Sequence, residues 1–112
     1  MGPNNSQKEA LRTEDKQLRD YELVFILSPE VGEDNIDAVV NNLNRFITNK
    51  GGVISDEKRW GKRKLAYPIK RHSEGNYVLT RLKLKPAVAK ELDAYLKISE
   101  EVIRHLLVKV GS

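Results

Sequence analysis

Apolar residues along this chain follow two spacings in turn, and the switches between them outline its elements. Tyr21 to Leu27 (YELVFIL) is dense in aromatic and branched side chains. Its centre is apolar on both faces, which predicts an internal strand of a sheet. Ser28-Pro29 ends it. Ile36, Val39, Val40, Leu43, Phe46 and Ile47 then recur at i, i+3, i+4, i+7, i+10 and i+11, one apolar stripe of an amphipathic helix. Glu33, Asp34 and Asp37 fall in its first turn, where the macrodipole favours negative charge, and Lys50 with Gly51 closes it. Val53 to Lys64 predicts a second strand, long and increasingly charged. Pro68 and Arg71 to Asn76 (RHSEGN) read as the segment that turns the chain. Tyr77 to Leu84 (YVLTRLKL) is a third strand. Pro86 suits the first position of a second helix, with Val88, Leu92, Tyr95 and Leu96 as its stripe. Val102 to Val110 completes the set as a strand with Val102, Arg104, Leu106, Val108 and Val110 on one face and Ile103, His105, Leu107 and Lys109 on the other.

The order βαββαβ predicts an α+β, ferredoxin-like fold. Right-handed crossovers put both helices on one face of a four-stranded antiparallel sheet, with the first and third strands central and the second and fourth at the edges. The other sheet face and the long connection from the second to the third strand are then free for partners. Residues 1–18 read as an N-terminal extension ahead of a domain spanning 19–112. They are polar, with only Met1, Ala10, Leu11 and Leu18 to bury. Ser6 and Glu9 have capping-box spacing for a short helix through Leu18, which is marginal by itself at that length.

Charge changes the picture more than composition does. A chain of 112 residues with 39% hydrophobic side chains makes one domain with one modest core. It has no cysteine, which excludes disulfides and thiolate metal sites. No apolar run approaches the roughly 18 residues of a membrane span, and no secretory leader or transit peptide is visible, so a cytoplasmic protein is expected. The net charge of +4 conceals two opposed blocks. From Tyr21 to Glu57, two basic residues face seven acidic ones; from Lys58 to Lys85, ten basic residues meet only Glu74. Such a bipolar molecule orients on a polyanion.

The positive block is concentrated in Lys58 to His72, KRWGKRKLAYPIKRH. Lys58, Arg59, Lys62, Arg63, Lys64, Lys70 and Arg71 lie there with no acid between them, and Trp60 and Tyr67 are interleaved. Nucleic acid attracts such a segment through counterion release, and flat aromatic faces offer rests for bases or riboses. A second reading is a charged edge guard that keeps a stranger from pairing with the second strand, in a module that binds only protein.

Catalytic constellations do not emerge. Asp56 and Glu57 are adjacent, so a strand sends them to opposite faces. His72 and His105 have no second ligand at metal spacing, and no nucleophile elbow or phosphate-binding glycine loop is present. No catalytic residue, metal, cofactor or small-molecule substrate is expected. Small phosphatases of the same fold hold phosphate in the first strand-to-helix loop, but here Ser28 to Asp34 carries three acids and no arginine. An RNA-recognition motif is half present at Val24-Phe25-Ile26. Glu74 to Leu79 lacks the basic residue and paired aromatics that would complete it.

Three stretches together carry a resemblance: Arg19-Asp20-Tyr21-Glu22 opening the first strand, Trp60-Gly61-Lys62-Arg63-Lys64-Leu65-Ala66-Tyr67-Pro68-Ile69 after the second, and Val102-Ile103-Arg104 in the last. From about Arg19 to Val110 the chain resembles bacterial small-subunit ribosomal protein six. The resemblance implies a ferredoxin-like fold and a non-enzymatic role in the small ribosomal subunit. It further implies pairing with ribosomal protein eighteen and binding of the central domain of small-subunit ribosomal RNA, with no membrane partner. Carried over by position, Arg19, Lys62 and Arg63 are the foremost phosphate contacts, followed by Lys58, Arg59, Lys64, Lys70 and Arg71. Trp60, Leu65, Tyr67 and Ile69 are assigned to the platform that shapes the arm and meets the partner protein, or to a satellite core. The Tyr67-Pro68 bond is a candidate for the cis form. The resemblance does not cover residues 1–18, nor does Ser112 lead into the acidic tail of some relatives.

Overall fold

A computed structural model describes residues 16–111. The elements are β1 (Arg19–Leu27), α1 (Glu33–Asn49), β2 (Val53–Ile69), β3 (His72–Leu84), α2 (Pro86–Lys97) and β4 (Val102–Lys109). The strands form one sheet in the order β2-β3-β1-β4, with every neighbouring pair antiparallel. The ferredoxin-like arrangement and the central and edge positions agree with the sequence pattern. The capping-box helix from Ser6 lies almost wholly outside the described residues; Lys16 to Leu18 are exposed and irregular.

Period-2 alternation decides which face is buried. Tyr21, Leu23, Phe25 and Leu27 of β1 and Val78, Leu82 and Leu84 of β3 face the helices. There they join Ile36, Val40, Leu43 and Ile47 of α1 and Val88, Ala89, Leu92 and Leu96 of α2 in a single core. Burial of each large side chain contributes about 1.5–3 kcal/mol. The helices meet through Phe46 and Tyr95, whose ring centroids are 4.7 Å apart, and through a 2.9 Å ion pair between Lys50 and Glu91. The other sheet face carries Glu22, Val24 and Ile26, opposite Arg81, Leu79 and Tyr77 on one side and Val108, Leu106 and Arg104 on the other.

Two sequence expectations are corrected. The segment Arg71 to Asn76 is not a loop: β2 runs on through Pro68 to Ile69, and β3 begins at His72. The turn is only Lys70-Arg71, both with left-handed backbone (φ 50° and 72°), the geometry of a two-residue hairpin turn. Pro68 is tolerated because β2 is an edge strand and Pro68 falls where the ladder skips, so its missing N–H costs no strand pairing. The second correction concerns β4, where strict alternation fails at its start. Leu27 opposes Val102 and Ile26 opposes Arg104, which leaves Ile103 as an extra residue. Val102 therefore joins the core, and Ile103 is buried as well. Ile103 packs near Gly75, where a Cβ would come within 2.4 Å of the Ile26 side chain. Only glycine lets β3 pass that close.

Candidate nucleic-acid interface

Beyond Asn76, which opposes Leu27 at the end of β1, the β2–β3 hairpin has no third strand beside it and projects as an arm. The described molecule is accordingly long, 56 × 26 × 24 Å. Three irregularities in β2 shape this arm, each adding residues to β2 that β3 does not match, after Ile54, after Arg59 and after Lys64. At the second, Trp60 is the unmatched residue and Gly61 takes φ 81°, a conformation that costs glycine nothing. Trp60 lies against Tyr77 on the open sheet face, with ring centroids 6.2 Å apart and planes 18° from parallel. The Arg63 guanidinium sits 5.6 Å from the Trp60 ring centre, and its Nε donates to the Trp60 carbonyl at 3.4 Å.

At the third irregularity, β2 advances five residues from Lys64 to Ile69 while β3 covers only the two steps from Glu74 to His72. The surplus curls the arm over the open face. Leu65, Tyr67 and Ile69 there line a gap of about 270 Å³ whose floor includes Val24, Ile26 and Leu106. The Arg104 guanidinium on β4 donates to the Tyr67 hydroxyl at 2.6 Å. The Tyr67-Pro68 bond is trans, since no cis peptide occurs among the described residues.

The structure divides the predicted phosphate contacts. Lys58, Lys62, Lys64, Lys70 and Arg71 are exposed and make no ion pair with any described residue. Arg59 is exposed as well but is committed to carboxylates of its own chain: it pairs with Asp37 of α1, and its Nε lies 3.4 Å from Glu57. The hydrogen bond to Asp37, reinforced by both carboxylate charges, raises the Arg59 pKa further above its ordinary value. Lys62 and Arg63 are neighbours on a strand and face opposite ways. Lys62 borders a cleft of about 570 Å³ shared with Glu30, Glu33 and Ile36 near the start of α1, whereas Arg63 lies over Trp60. Arg19 is not brought to the arm at all. It opposes Leu84 at the far end of β1, eight residues or roughly 26 Å of strand from Leu27.

The histidines have ordinary explanations: His105 Nε2 is 2.7 Å from Asp93 of α2, and His72 opposes Ile69 beside the turn. Among the described residues no cluster of His, Cys, Asp or Glu could hold a metal, and no helix is long and apolar enough to cross a membrane. The open face carries Tyr77 with Trp60 stacked on it, and among the described residues no aromatic pair crosses β1 and β3. In the sequence Arg104 stands on the same strand face as Leu106 and in the Val102-Ile103-Arg104 stretch; nothing local ties it to Tyr67.

The family model described as Ribosomal protein S6 matches residues 20–109 of this sequence. The chain belongs to the ribosomal protein S6 family. Small ribosomal subunit protein bS6 of Dehalococcoides mccartyi is 40% identical over 102 residues, covering 91% of this chain and 94% of that protein. The bS6 of Clostridium kluyveri is 45% identical over 89 residues, 80% of this chain and 94% of its own length. The crystal structure of 30S ribosomal protein S6 from Thermotoga maritima superimposes with a TM-score of 0.78 at 30% identity, covering 83% of this chain and 88% of that one. An S6 protein is a structural, non-enzymatic constituent of the small ribosomal subunit and takes part in translation, in bacteria in the cytoplasm.

Proposed function

We propose that this chain binds the central domain of small-subunit ribosomal RNA together with ribosomal protein eighteen, using the β2–β3 arm as its phosphate-binding element. The observation that carries this reading is the set of exposed cations along the arm, Lys58, Lys62, Lys64, Lys70 and Arg71, that no carboxylate neutralises among the described residues. A projecting ribbon in which Glu74 is the one acid among several cations attracts a polyanion, whose condensed counterions are released on contact. Lys62 and Arg63 serve the two faces of the ribbon, with Arg63 held by Trp60. Arg59 contributes to the arm's root rather than to phosphate, and Arg19 reaches RNA only if the RNA also passes the far end of β1.

Such contacts fix position and register and carry little base information. Trp60, Leu65, Tyr67 and Ile69 shape the arm, and the exposed Leu106 beside them, continued along β4 by the exposed Val108 and Val110, gives ribosomal protein eighteen an apolar surface. The test is binding to a central-domain RNA fragment, with and without protein eighteen, across a salt series. Tight and salt-sensitive binding that needs both proteins is expected. Absence of binding by the folded protein in both conditions would favour a protein-only module with the arm as an edge guard.

A further inference from the structure

The arm's course raises a mechanical question that its charge does not answer. Past Asn76 it is a two-stranded ribbon, and such ribbons are marginal in water by themselves. Its turn uses two non-glycine residues in left-handed backbone, which adds local strain rather than rigidity. Gly61 near its root has φ 81° and no neighbour within 4 Å of a Cβ position, and the adjacent Trp60 rests on Tyr77, so these contacts hold the root and not the outer ribbon. What does restrain the arm lies across the sheet. β2 and β4 are opposite edges, separated by three strand spacings or roughly 14 Å. Tyr67 of β2 nonetheless meets Arg104 of β4. The three surplus residues between Lys64 and Ile69 make that reach possible, and the gap under them is only partly filled.

We infer that Tyr67 and Arg104 form a latch that holds the arm at one angle over the sheet, so that Arg104 tunes RNA affinity as a positioning residue without touching phosphate. This rests on the RNA reading above and adds to it. With the latch closed, Lys64, Lys70 and Arg71 have fixed places relative to the domain, and the ordering cost of docking is met before RNA arrives. With it open, the same charges remain on a ribbon that swings about its root at Lys62 and Asn76, where β1 ends. Counterion release is then unchanged while preorganisation is lost. Arg104 is suited to the part because the Tyr67 hydroxyl is the one hydrogen-bond partner of its side chain among the described residues, and no carboxylate there pairs with it.

Two full-length variants test the latch. Tyr67→Phe removes the hydroxyl and keeps the ring; Arg104→Gln removes the charge; both sites are exposed, and a circular-dichroism melt checks that the fold persists. In each variant, amide hydrogen exchange over residues 64–72 should speed up while β1 is unaffected. Affinity for the central-domain RNA fragment in the presence of protein eighteen should fall roughly three- to tenfold, the scale of one lost hydrogen bond. The slope of log affinity against log salt should not change. Lys64→Gln is the contrast, expected to lower that slope by about 0.7 to 0.9. Wild-type exchange rates in either variant would overturn the latch. So would a slope that drops with Arg104→Gln while Tyr67→Phe leaves affinity intact, because Arg104 would then be a phosphate ligand. If the wild-type chain binds no RNA, the RNA reading fails, and the exchange rates still decide whether the latch restrains the arm.

Discussion

At Thr80 and Asp93, single residues carry one cost and one pH response that can be measured separately. Thr80 lies on β3 facing the helices, 1% exposed, with its hydroxyl unpartnered among the described residues. Burying an unpaired hydroxyl costs about 1–3 kcal/mol. Thr80→Val keeps the shape and removes the donor, so denaturant unfolding should show a gain of about 1 kcal/mol; an equal or lower midpoint would mean the hydroxyl is satisfied. Asp93 on α2 works the other way. The hydrogen bond with His105, then the Lys97 ammonium one turn on, hold its carboxyl below the ordinary range. A folded value below the unfolded value near 4 means stability that is present above pH ~4 and lost as pH falls through the folded value. Asp93→Asn should therefore lower stability at neutral pH and flatten the acid limb, which pH-dependent melts of both proteins would reveal. The placement of Asp93 beside His105 was not legible locally, because twelve residues and a change of element separate them.

At the scale of elements, β2 and β3 extend beyond the strands that the sequence pattern predicts, to Ile69 and from His72. Leu65, Tyr67 and Ile69 still alternate after Lys64, but Pro68 interrupts the run and polar residues dominate Arg71 to Asn76, so the sequence pattern reads as a turn there. Those residues pair because the hairpin pairs: each backbone group finds its partner in the opposite strand, whatever the side chains do. The turn pays for its chemistry, since Lys70 and Arg71 occupy positions that favour Asn and Gly. We predict that Lys70→Asn combined with Arg71→Gly raises the melting temperature yet weakens RNA binding and lowers its salt slope. A variant more stable and equally tight would show that the turn's charges are not used. The helices, by contrast, were plain in the sequence. Their stripes, acidic first turn and proline start belong to single segments and require no distant partner; of the predicted stripes the helices bury Ile36, Val40, Leu43, Ile47, Val88, Leu92 and Leu96, while Val39, Phe46 and Tyr95 are half-buried at the core's margin.

Across the whole molecule, charge and shape reinforce each other. The radius of gyration of 16.6 Å exceeds the roughly 13 Å of a compact domain of this size, and the excess is the basic arm. Reversing charge at Lys62 and Arg63 together should lower RNA affinity and flatten its salt dependence by about 0.7 to 0.9 per lost contact. An unchanged slope would remove both residues from the RNA surface. By itself, the sequence determined the element order, the central and edge strands, the buried stripes and the concentration of positive charge after Lys58. These follow from periodicity and composition, which are properties of consecutive residues. Only the tertiary structure decided that Arg59 turns to Asp37, that Lys62 and Arg63 part to opposite faces, and that Arg19 lies far from the arm. It alone brought Tyr67 to Arg104. Each depends on register, and register is set by bulges and pairing between strands distant in the chain, where one extra residue moves a side chain from one face to the other.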